Sequence, residues 1–98
     1  MTAKVLLVDD EEGIRKVLKI YLQDMGYKVS TSDDGKKAVQ KIDNGSFDIV
    51  LTDIRMPGMD GVSLLKHIKK NTPDTEVIMI TGHGDLKLAI ESLKLDAV

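Results

Sequence analysis

The sequence predicts an α/β fold in which a parallel sheet is flanked by helices. Three observations lead there. Short runs of aliphatic and β-branched residues recur at Val5-Leu6-Leu7-Val8, Ile49-Val50-Leu51 and Val77-Ile78-Met79-Ile80, as in strands buried on both faces. Segments with apolar residues at helical spacing separate them. Strand and helix alternate four times along the chain, the pattern of right-handed βαβ crossovers.

Val5 to Val8 is the first strand and Asp9-Asp10-Glu11-Glu12 follows it. Ile14, Val17, Leu18, Tyr21, Leu22 and Met25 then mark the inner stripe of a helix that stops at Gly26. Tyr27 to Thr31 alternates and carries Lys28, which suits a strand nearer an edge. Ser32-Asp33-Asp34-Gly35 opens a second helix, with Ala38, Val39 and Ile42 inward and Asn44-Gly45 at its end. Phe47 to Asp53 is the third strand. A Pro57-Gly58 turn precedes a third helix over Gly61 to Lys70, with Val62, Leu65 and Ile68 on one face. Thr72-Pro73-Asp74 breaks the chain before a fourth strand, Val77 to Thr81. Gly82-His83-Gly84 is a loop, and Asp85 opens a last helix through Ala89, Ile90 and Leu93. Met25 and Met79 are expected in the core, and His67 at the surface.

Bulk properties narrow the function classes. The 98 residues suffice for one domain, residues 1–98, with 42% hydrophobic and 31% charged residues. A net charge of -2 and 3% aromatics argue against direct nucleic-acid binding. The absence of cysteine excludes disulfides and thiolate metal sites. No apolar run approaches a membrane span and no secretory segment opens the chain, so no membrane partner and a cytoplasmic location are expected.

Parallel strands bring their carboxyl ends to one edge of the sheet, where α/β folds place their chemistry. The first strand would deliver Asp9 and Asp10 there, the third Asp53, and the fourth Thr81 with Gly82 behind it. No lysine or arginine stands obviously at these ends. Clustered carboxylates either take up protons or hold a cation, and an all-oxygen set suits Mg2+. Asp10 and Asp53 are assigned as direct ligands, Asp9 as a ligand through water, and the Arg55 carbonyl as a further donor. Such a site fits phosphoryl transfer, where charge neutralisation and positioning dominate. Asp53 would be the nucleophile, Thr81 a donor to a phosphoryl oxygen, and the N–H groups of Gly82 and Arg55 further donors. Taken singly, each acid has an ordinary explanation. Asp10, Glu11 and Glu12 precede a helix, where acids cap and meet the dipole, and Asp53 alone would serve a turn.

Val8-Asp9-Asp10-Glu11, the segment Leu51 to Gly61 around Asp53, and Ile78 to Asp85 together resemble the receiver domain of two-component response regulators, especially those of the nitrogen-regulation class. The resemblance implies a flavodoxin-like fold with strand order 2-1-3-4-5 and transfer of a phosphoryl group from a sensor histidine kinase's phosphohistidine to Asp53. It implies that Arg55 and His83 stand at positions that tune dephosphorylation.

The sequence stops at Leu95-Asp96-Ala97-Val98, where the family's fifth strand would begin. The expectation is therefore a receiver truncated at its carboxyl end. Its strand order would be 2-1-3-4, without the fifth βα unit, its lysine and its switch aromatic. Weakened phosphorylation is expected, together with self-association through the fourth strand or the last helix. The alternative is an interaction or oligomerisation module that keeps the fold and cannot be phosphorylated. An aspartyl phosphatase is disfavoured because Arg55, two residues after Asp53, cannot act as general acid–base and Asp60 lies beyond the turn. A nucleotide or flavin module is disfavoured because acids, rather than a glycine-rich cradle, end the first strand.

Overall fold

Strand β1 (Lys4–Val8) lies inside a four-stranded parallel sheet of order β2-β1-β3-β4. Its neighbours are β2 (Lys28–Ser32) and β3 (Ile49–Asp53), and β4 (Glu76–Ile80) pairs with β3. Three helices alternate with them: α1 (Glu12–Asp24), α2 (Gly35–Asn44) and α3 (Gly61–Asn71). The computed structural model describes residues 2–53 and 59–80. The predicted order 2-1-3-4 is what these strands adopt.

The apolar run of β1 follows from burial on both faces. Val5 and Leu7 pack with Leu18, Leu22, Leu51 and Ile80 on the α1 side. Leu6 and Val8 pack with Ala38, Ile42, Val50, Leu64 and Ile68 on the side of α2 and α3. Side chains alternate across the pleat, so a strand with a core on each face must be apolar at every position. Strand β2 is the edge its polarity predicted, and the Lys41 ammonium donates to its Thr31 carbonyl.

Local chemistry sets the helix ends. Gly26 has φ 96°, and the Gly26 and Tyr27 N–H groups donate to the carbonyls of Gln23 and Leu22, a Schellman stop for α1. Asp34 caps α2 by accepting the Lys37 N–H at 2.8 Å. Asp60 caps α3 by accepting the Ser63 N–H at 2.8 Å. Before β3, Asp48 is tied to β1: its Oδ2 accepts the Lys4 N–H at 2.8 Å and its own N–H donates to the Lys4 carbonyl.

Several expectations change. Strand β2 is displaced by one residue from its predicted span, β4 begins at Glu76 rather than Val77, and β3 begins at Ile49 rather than Phe47. On α3 the buried face is Gly61, Leu64 and Ile68, while Val62 is 43% exposed. Both sets fit helical spacing, and the tertiary contact selects Leu64. On α1, Val17 is 66% and Tyr21 41% exposed, because the helix packs over β2 and β1 through the narrower line of Leu18 and Leu22. Met25 and Met79 are half-buried rather than core. Among the described residues, no helix is long and apolar enough to cross a membrane.

Candidate functional site

The ends of β1 and β3 lie side by side because Val8 pairs with Thr52. The next residue on each strand is an aspartate, and Asp10 follows on the first. One carboxylate oxygen from each of Asp9, Asp10 and Asp53 lies within 4.8 Å of the others. Asp9 is buried, Asp53 half-buried and Asp10 exposed. The convergence predicted for these three acids is therefore present.

The capping alternative can be tested directly. The N-cap of α1 is Glu11, whose side chain makes no capping hydrogen bond, and Asp10 is not the cap. The acid that bonds here is Asp9, whose Oδ1 accepts the Glu11 N–H at 2.8 Å. Asp60, the possible acid–base substitute, is an N-cap instead. Hydrogen bonds from the backbone and then the side chain of Ser63 hold its carboxyl below the usual range.

Burial raises the Asp9 carboxyl above its ordinary 3.8. The Glu11 N–H opposes that rise, while the charges of Asp53, Asp10 and Glu11 add to it. A buried acid beside two others is a site where a divalent cation relieves both desolvation and repulsion. The donors are all oxygens, which fits Mg2+ or another hard cation.

Two neighbours escaped the sequence reading. Arg15 on α1 reaches back to the site, its Nη1 donating to the Asp9 carbonyl at 2.6 Å. The expectation that no basic side chain serves these strand ends is thus corrected: Arg15 serves the main chain rather than a carboxylate. The only sequence signal was a basic residue one turn into the helix that follows the acids. Thr52 is fully buried beside Asp53, and its hydroxyl donates to the Asp53 carbonyl at 3.0 Å.

The turn before α2 also borders this edge. Ser32 accepts the Asp9 N–H through its carbonyl at 3.1 Å and donates its hydroxyl to the Asp34 carbonyl at 2.9 Å. Register places Ile80 beside Asp53. Arg55, Thr81, Gly82 and His83, together with Asp85 and the last helix, lie outside the described residues.

The family model of the response regulator receiver domain matches residues 5–98. The transcriptional regulatory protein FixJ of Bradyrhizobium diazoefficiens is 38% identical over 100% of this chain and 49% of its own length. The DNA-binding transcriptional regulator NtrC of Escherichia coli K12 is 40% identical over 95% of this chain and 20% of its own length. The chain thus spans about half of the first relative and a fifth of the second. The response regulator TrrA of Thermotoga maritima, crystallised in complex with Mg2+ and BeF, superimposes with a TM-score of 0.79 at 38% identity, covering 85% of this chain and 71% of its own. TrrA in complex with the histidine kinase ThkA gives a TM-score of 0.77 at 39% identity, with coverages of 85% and 72%.

Proposed function

The chain belongs to the response regulator receiver domain family, whose members are phosphoacceptor signalling domains rather than classical enzymes, and from that membership we propose that it accepts a phosphoryl group on Asp53. The donor is the phosphohistidine of a sensor histidine kinase, the class of partner with which TrrA was crystallised. One observation carries the reading: Asp53 shares its strand edge with Asp9 and Asp10, at carboxylate separations that a single cation can bridge.

Asp53 attacks phosphorus through a carboxylate oxygen. The new O–P bond forms as the P–N bond to the donor imidazole breaks, and the released nitrogen takes up a proton from water. Asp9, Asp10, Asp53 and the Arg55 carbonyl would hold Mg2+. When bound, the ion offsets negative charge on the phosphoryl oxygens. The chain's residues align Asp53, with the buried Thr52 hydroxyl donating to the carbonyl at its back. Thr81 follows Ile80, the partner of Asp53, and its hydroxyl is assigned to a phosphoryl oxygen with the N–H groups of Gly82 and Arg55.

Acetyl phosphate with Mg2+, read by intact mass, tests this. One phosphate adduct is expected on the wild type, and none on Asp53→Asn or in excess chelator. Equal adducts on wild type and Asp53→Asn would refute the assignment of Asp53.

The second reading is an interaction module that keeps the fold without phosphorylation. The exposed Val17 and Ile20 on α1 favour association with another chain. Self-association through β4 or the last helix belongs to that reading. Beryllofluoride with Mg2+ separates the two, since shifts of the Asp53 neighbourhood in amide spectra require a competent acidic site.

A further inference from the structure

We propose that Arg15 is a positioning residue for the metal site: its guanidinium pins the Asp9 main chain from α1, and cation affinity depends on that bond. The inference rests on the Mg2+-dependent reading above. Asp9 is held at three points. Its N–H donates to the Ser32 carbonyl of β2 at 3.1 Å, its carbonyl accepts from Arg15 at 2.6 Å, and its Oδ1 accepts from the Glu11 N–H at 2.8 Å. Among the described residues, these bonds leave Oδ2 for a cation. The three anchors come from β2, the side chain of α1 and the turn entering α1, so the buried carboxylate has little freedom to rotate.

Arg15 is the anchor that a side chain provides. Among the described residues, the ion pairs are Glu12–Lys16, Asp33–Lys37 and Asp43–His67, and none includes Arg15. A guanidinium that bonds the Asp9 carbonyl instead of its carboxylate leaves the Asp9 Oδ2 to another cation. A charge-assisted bond to a carbonyl is also stronger and more directional than a neutral one. Outer partners of this kind orient a ligand without touching the metal, and their loss costs about 10–100-fold in affinity.

The sign of the effect separates this role from a purely electrostatic one. A positive charge beside a cation site repels the cation. If Arg15 acted only through charge, Arg15→Ala would bind a divalent ion more tightly. If it positions Asp9, the same variant binds more weakly.

The experiment titrates the full 98-residue chain with Mn2+, read by the electron paramagnetic resonance of the free ion, with circular dichroism confirming the fold. Arg15→Ala is expected to weaken Mn2+ binding about tenfold. Arg15→Lys, which can still donate one bond, should recover part of the loss. Phosphorylation of Arg15→Ala by acetyl phosphate should be slow at limiting Mg2+ and recover at saturating Mg2+. Equal or tighter Mn2+ binding by folded Arg15→Ala overturns the positioning role while the acidic site stands. A wild type that binds no Mn2+ overturns the site itself, and the role of Arg15 with it. If Arg15→Ala does not fold, Arg15→Gln is read by the same criteria.

Discussion

Met59 occupies the space that a Cβ on Gly35 would need: such an atom would lie 2.7 Å from the Met59 Cβ and 2.8 Å from its carbonyl oxygen. Gly35 is the first residue of α2 and is buried, and Met59 packs on the core shared by α2 and α3. Ordinarily alanine is better than glycine in a helix by up to about 1 kcal/mol. Here that gain meets an overpacking cost of about 1–3 kcal/mol. Gly35→Ala is therefore expected to lower the urea midpoint. Because Met59 stands six residues after Asp53, phosphorylation should slow as well. An unchanged or higher midpoint would show that the turn yields freely.

Asp9 gives a pH dependence of definite sign. Its folded pKa lies above its ordinary 3.8, so the folded state holds that proton more firmly than the unfolded chain. The stabilisation is complete below the unfolded value and is lost as pH rises through the folded one. Without divalent cations, this part of the stability therefore falls from about pH 4 upward. Asp9→Asn keeps an Oδ1 acceptor for Glu11 and removes the charge. It should flatten that fall and raise stability at neutral pH in chemical denaturation without Mg2+. A variant less stable than wild type at pH 7 would contradict the argument.

The Asp34 cap can be separated from the site. Its carboxylate accepts the Lys37 N–H at 2.8 Å at the start of α2. Asp34→Ala should cost about 1 kcal/mol, while Asp34→Asn, an equally good cap, should cost a few tenths at most. Equal losses in thermal unfolding would assign the effect to charge rather than capping.

Val17 and Ile20 are largely exposed on α1, so replacing both with serine should change stability by no more than about 0.5 kcal/mol each. The same pair should matter for association. Sedimentation is expected to show less concentration dependence for the variant than for the wild type. A large loss of stability would instead place these side chains in the core.

The sheet was readable from the sequence because β1 and β3 announce two-sided burial through apolar residues alone. The meeting of Asp9, Asp10 and Asp53 was readable too, since parallel strands fix which ends share an edge. Side-chain selection was less legible. Periodicity on α1 draws a stripe from Ile14 to Met25, yet how much of it the sheet covers depends on where the helix crosses, and Val17 and Tyr21 fall outside. On α3, Leu64 and Leu65 are neighbours that spacing alone cannot rank. Arg15 was hard to see for another reason: a side chain that bonds the main-chain carbonyl of Asp9 leaves no trace beyond a basic residue one turn into the helix.

The strand that carries Asp9 and Asp10 is also paired on both sides and buried on both faces. The amides of Leu6, Leu7 and Val8 should thus exchange with solvent only when the whole domain opens. A cation held at the end of that strand would slow their exchange as it stabilises the native state. The protection of three aliphatic amides, none of them at the site, thereby becomes a gauge of its occupancy.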